Sequence, residues 1–120
     1  MKLLIVDDST VIRERLRTMI NDIGNIEIAG EARNYKEAME AISTTAPDIV
    51  ILDINMPGKN GLDILLDIKL MVHPFIVIMM SNYSDFYYRN LCEKMGADYF
   101  FDKTTEFEKI PEVLSALERI

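Results

Sequence analysis

At 120 residues, with 49% apolar and 28% charged side chains, the chain has the size and composition of a single folded domain spanning 1–120 with a core of its own. A net charge of -7, with the 13 lysines and arginines scattered, argues against a nucleic-acid backbone or an anionic membrane as its direct ligand. The lone Cys92 rules out an internal disulfide and reads as a buried structural thiol, and no apolar run nears the ~20 residues of a membrane helix, so a soluble, cytoplasmic protein is expected.

The opening Met-Lys-Leu-Leu-Ile-Val starts like a signal peptide, but its apolar run stops at Asp7 and Asp8, too soon for an h-region. Residues Lys2 to Val6 instead read as a central strand, apolar continuously because helices cover both faces. A helix from about Thr10 to Ile23 follows, with Ser9 as its cap, Ile12, Leu16, Met19, Ile20 and Ile23 as its apolar stripe and Gly24 as its stop. Ile26 and Ile28 alternate with Glu27 and Ala29 ahead of Gly30, the pattern of a short strand near the sheet edge. Asn34 with Glu37 three residues on predicts a capping-box helix start, and Pro47 closes that helix off from a strand at Ile49 to Leu52.

A turn-rich loop, 53–61, opens into a third helix from about Leu62 to Leu70. After Pro74 the run Phe75 to Met80 is the fourth strand, with His73 placed in a surface loop at the opposite end of the sheet from Asp7 and Asp8. A fourth helix beginning at Ser84 or Asp85 buries Tyr88, Leu91, Cys92 and Met95, leaves Phe86 and Tyr87 outward and ends at Gly96. Tyr99 to Phe101 form the fifth strand, and a last helix from about Ile110 turns Val113, Leu114, Leu117 and Ile120 inward. Five strand-helix pairs with right-handed crossovers give an α/β fold, a parallel sheet in the order 2-1-3-4-5 with helices on both faces.

Open parallel sheets bind ligands at the carboxyl ends of their strands. At those ends stand Asp7 and Asp8, Asp53, Ser81 and Lys103. Three carboxylates, a hydroxyl and an ammonium suit a divalent cation together with a phosphoryl group.

In this order, each at a strand end, Asp7-Asp8, Leu52-Asp53 with Met56-Pro57 and Gly61, Ser81 and Lys103 resemble the receiver domains of two-component response regulators, in particular a chemotaxis-type stand-alone receiver. The resemblance covers essentially the whole chain and implies a flavodoxin-like fold. It implies that Asp53 accepts a phosphoryl group from a sensor histidine kinase, a phosphotransfer protein or a small acyl phosphate. Magnesium would be held by Asp8 and Asp53 directly, by Asp7 through a metal-bound water and by the Asn55 backbone carbonyl. Lys103 and Ser81 would bind phosphoryl oxygens, and Phe100, three residues before the lysine, would rotate inward behind Ser81. The surface of the fourth helix, fifth strand and fifth helix, with Phe86 and Tyr87 as candidate anchors, would then change its affinity for a downstream protein or fused output domain.

The chain departs from that family pattern at several places. Thr104 follows Lys103 where the family usually has a cis proline, so a trans bond is expected. Asn82 is larger than the usual small residue and would crowd the phosphoryl group, and Tyr83 and Asn55 flank the route of a water that would hydrolyse the aspartyl phosphate, so all three bear on its lifetime. Phe100 lacks the hydroxyl of the commoner tyrosine. Beyond phosphoryl transfer onto Asp53 and its own dephosphorylation, no enzymatic activity is expected. The alternatives are a receiver-like interaction domain that takes no phosphate, and a magnesium-dependent phosphohydrolase, for which Asp53-Ile54-Asn55 lacks the second acid of an Asp-x-Asp pair. The chain ends with its fifth helix, which fits either a stand-alone regulator or a receiver cut from a longer protein.

Overall fold

The computed structural model describes residues 1–82 and 86–118. Five strands, β1 (Lys2–Val6), β2 (Glu27–Ala32), β3 (Ile49–Asp53), β4 (Ile76–Ser81) and β5 (Tyr99–Asp102), alternate with five helices, α1 (Thr10–Asn21), α2 (Tyr35–Thr45), α3 (Gly61–Lys69), α4 (Phe86–Lys94) and α5 (Ile110–Glu118). All strands are parallel, in the order β2-β1-β3-β4-β5. The expected topology is therefore observed.

Because side chains alternate across a strand, the sheet sorts each apolar run into two rows. Leu3, Ile5, Ile49, Ile51, Ile78, Met80 and Phe101 face Leu16 and Ile20 of α1 and Ile110, Leu114 and Leu117 of α5. Leu4, Val6, Val50, Leu52, Val77, Met79 and Phe100 face α2, α3 and α4. This two-sided burial is why the strands read as unbroken apolar runs.

Several boundaries differ from the sequence reading, each for a local reason. Helix α1 ends at Asn21 with Asp22 as its cap, so Ile23 is buried beyond the helix and Gly24 is not its stop. Strand β2 runs on to Ala32, since a bulge that leaves Ala29 unpaired resets its register on β1. Asn34 caps α2 by accepting from the Glu37 N–H, but the Glu37 carboxylate accepts from the Arg33 N–H instead of closing a box. The full capping box lies at α3, where Asn60 accepts from the Asp63 N–H and Asp63 accepts from the Asn60 N–H.

In α4 only Cys92 is fully buried, with Tyr88, Leu91 and Met95 half-covered. Burial pushes the Cys92 thiol up to about 11, so it is un-ionised and inert near neutral pH. The expected α4 start at Ser84 or Asp85 and the inward Ile120 lie outside the described residues. Gly96 ends α4 with φ 96°, and His73 is exposed, edge-on to Phe75.

One glycine is dictated by packing. A Cβ on Gly61 would lie 2.3 Å from the Asp53 carbonyl oxygen, so α3 can start directly beneath the end of β3 only without a side chain there. Gly61→Ala should destabilise the domain by about 2 kcal/mol or more, an overpacking penalty against rigid backbone. Thermal unfolding of the two proteins side by side is the check, and an unchanged midpoint would contradict this packing.

Candidate functional site

The two-row pattern also aims the polar residues. Asp7 continues the row of Leu3 and Ile5, Asp53 that of Ile49 and Ile51, and Lys103 that of Phe101, so all three emerge on the face covered by α1 and α5. With β1 and β3 adjacent, carboxylate oxygens of Asp7, Asp8 and Asp53 come within 4.8 Å of one another. Asp7 and Asp53 are buried and Asp8 is exposed at the rim.

Lys103 reaches into this cluster. Its Nζ lies 2.8 Å from Asp7 Oδ2 and 3.0 Å from Asp53 Oδ1. Asp7 Oδ1 accepts from the Ser9 N–H at 2.8 Å, while Asp7 Oδ2, without an aligned hydrogen bond, is compensated only by that ion pair. Asp53 Oδ1 also accepts from the Asn55 N–H at 2.9 Å. Asp53 Oδ2 is buried with no partner among the described residues. Burial foremost, then the Asp7 charge, pushes the Asp53 carboxyl up to about 6 against the opposing pull of Lys103 and the Asn55 N–H.

Three further contacts hold the site and were not foreseen. Arg13 is buried in α1, donating from Nη1 to the Asp7 carbonyl at 2.6 Å while its Nε lies 3.3 Å from Glu31 on β2. Its signal was in the sequence, since position 13 precedes Leu16 by one turn on the buried stripe. Asp102 Oδ1 accepts from the N–H groups of Thr104 and Thr105 at 2.6 and 3.0 Å, turning the chain just past β5. Thr104 thus supplies an N–H that proline would lack, and no cis peptide bond occurs among the described residues. Arg89 of α4 pairs with Glu106, stacks 4.8 Å over the Phe100 ring and donates to the Phe100 carbonyl, tying α4 to β5.

The remaining expected residues sit as follows. Ser81 is buried at the end of β4, its hydroxyl 3.4 Å from the side-chain Oδ1 of Asn55. The Asn82 N–H donates to that same oxygen at 2.8 Å. Phe100 already faces the α4 side of the core and is 9% exposed. Phe86 and Tyr87 are outward on α4, 78% and 67% exposed. Tyr83 lies outside the described residues.

Chemically, three converging carboxylates, with one buried oxygen lacking a partner among the described residues, fit a hard divalent cation, and the cation that pairs with these carboxylates is the Lys103 ammonium. Among the described residues no helix is long and apolar enough to cross a membrane.

A strand-end acidic crevice on a five-stranded parallel sheet is the arrangement of a signal receiver, and comparison with known proteins gives the same class. The chain matches the response regulator receiver domain family over residues 3–115 and belongs to it. It is 39% identical over 111 residues to protein-glutamate methylesterase/protein-glutamine glutaminase 1 of Carboxydothermus hydrogenoformans, covering 91% of this chain and 32% of that one. It is 34% identical over 121 residues to an uncharacterized response regulatory protein of Yersinia pestis, covering 99% and 49%. The crystal structure of the response regulator domain of Thermotoga maritima CheB matches with a TM-score of 0.85 at 28% identity, covering 99% of this chain and 94% of that one. The chain thus spans between a third and a half of these two curated relatives, and the match to the methylesterase lies within the third that this chain covers.

The raised Asp53 makes a signed prediction. In the folded protein this carboxyl titrates near 6 against an ordinary 3.8, so its ionisation opposes folding. That penalty is absent below the ordinary value, grows as pH rises through the interval and is complete above about 6. In chelator at pH 7.5, Asp53→Asn should therefore be more stable than wild type by up to about 3 kcal/mol, and the difference should vanish near pH 4. Urea unfolding at both pH values checks it.

Proposed function

We propose that the chain is a phosphorylation-controlled switch in which Asp53 is the phosphoacceptor. The observation that supports this best is the buried Asp53 carboxylate, whose Oδ1 is held and whose Oδ2 is buried with no partner among the described residues, beside Asp7, Asp8 and Lys103. A phosphorylatable aspartate is typical of the receiver family.

In this reading an ionised Asp53 oxygen attacks phosphorus. The bond from phosphorus to an imidazole nitrogen, or to the acyl oxygen of a small donor, breaks and its electron pair leaves with that atom. Nothing is oxidised or reduced. Asp8, Asp53 and the Asn55 carbonyl, with Asp7 in support, would hold magnesium, which would supply the charge neutralisation that lets a dianionic donor approach three carboxylates. Lys103 remains on Asp7 and turns its second contact from Asp53 Oδ1 to a phosphoryl oxygen. Ser81 donates its hydroxyl to another.

The donor is a sensor histidine kinase, a phosphotransfer protein or a small acyl phosphate. Readout runs through Phe100 and Arg89 to α4, where Phe86 and Tyr87 offer aromatic anchors to a downstream protein or output domain. Asn82, beside Ser81, and Asn55, two beyond Asp53, set the lifetime of the modification.

Intact mass after incubation with acetyl phosphate should show one phosphoryl adduct in magnesium, none in chelator, and none on Asp53→Ala. If wild type stays unmodified by acetyl phosphate and by a phosphorylated histidine kinase, the domain works instead as a binding surface that takes no phosphate.

A further inference from the structure

Asn55 is bonded at both ends. Its backbone N–H donates to Asp53 Oδ1 at 2.9 Å, and its side-chain Oδ1 accepts the Asn82 N–H at 2.8 Å and the Ser81 hydroxyl at 3.4 Å. The Asn82 N–H can only donate, so it is the oxygen of the carboxamide that faces β4. Two donors at the end of one strand thus converge on one neutral oxygen, carried by the residue two beyond Asp53.

These donors lie at the end of β4, the strand that pairs with β3 at Asp53. Asp53 pairs with Met80, and Ser81 and Asn82 are the next two residues. A phosphoryl group presents anionic oxygens, whose hydrogen bonds are roughly twice as strong as those of a neutral carboxamide. We infer that the Asn55 carboxamide is an internal stand-in for the phosphoryl group, occupying the Ser81 hydroxyl and the Asn82 N–H in the unmodified protein and yielding them on phosphorylation. This rests on the reading of Asp53 as phosphoacceptor and adds to it the residue that sets how readily the modified state is reached.

Asn55 is a positioning residue in this scheme. Its side chain steadies the unmodified β4 end, so every phosphorylation event has to displace it. A purely structural tie between the loops would affect both states alike and leave the balance between them unmoved.

The test uses beryllofluoride as the phosphoryl mimic, in saturating magnesium, followed by amide NMR. Asn55→Ala keeps the backbone N–H and carbonyl and removes only the carboxamide. It should bind beryllofluoride about 3- to 10-fold more tightly than wild type, the worth of one to two neutral hydrogen bonds no longer broken. Without beryllofluoride, the Asn82 amide proton should move upfield as its acceptor is lost. Asn55→Asp keeps an acceptor oxygen and should show no tightening. The inference is overturned if Asn55→Ala binds within about twofold of wild type or more weakly, or if Asn55→Asp tightens equally. Wild type failing to bind beryllofluoride at all would instead remove the phosphoacceptor reading, and this inference with it.

Discussion

The Lys103 ammonium, buried between Asp7 and Asp53, is the interaction on which the acidic end of the sheet depends. β5 is separated from β3 by β4, so the lysine spans the width of a strand to close the crevice. Without it two buried carboxylates would face each other with no described cation between them, and removing one partner of a buried ion pair commonly costs several kcal/mol, roughly 3–5. The compensation is also incomplete, because one cation serves two acids and leaves Asp53 Oδ2 without a partner among the described residues. A site so arranged is stable enough to fold and still favours a second cation.

Around that centre four described segments are fixed by side chains bonding to backbone. Arg13 holds the carbonyl of Asp7, Asp102 turns the segment after Lys103, Asn60 and Asp63 cap α3, and Asn55 ties the loop after β3 to the end of β4. The bare Cα of Gly61 lets α3 pack directly on the Asp53 carbonyl. Loops held this way give precise placement without a hydrophobic core of their own. The same logic extends outward, since Arg89 joins Phe100 and Glu106 to α4 and so links the site to an exposed aromatic surface.

The receiver family and the fold account for the architecture, while the residues peculiar to this chain give it its own character. Thr104 contributes an N–H to the Asp102 turn, Phe100 is packed under an arginine instead of carrying a hydroxyl, and the Asn55 carboxamide links two loops across the site. The relatives that this chain matches over a third to a half of their length carry this domain within longer proteins.

By itself the sequence determined the order of elements, the sheet topology and the identities of Asp7, Asp8, Asp53, Ser81 and Lys103 as strand-end residues. That is because apolar periodicity and chain direction are local properties, and the alternation along each strand already puts Asp7, Asp53 and Lys103 on one face. Element ends were less legible, as for α1 at Asn21 and β2 at Ala32, because caps and bulges depend on which hydrogen bond a neighbouring segment offers. Only the tertiary structure decided that Lys103 bridges both acids, that Arg13 turns inward to a carbonyl, that Asp102 takes the Thr104 N–H and that Asn55 reaches Asn82. Each of those joins groups whose meeting depends on the three-dimensional path of the backbone, and a one-dimensional pattern holds no record of distance.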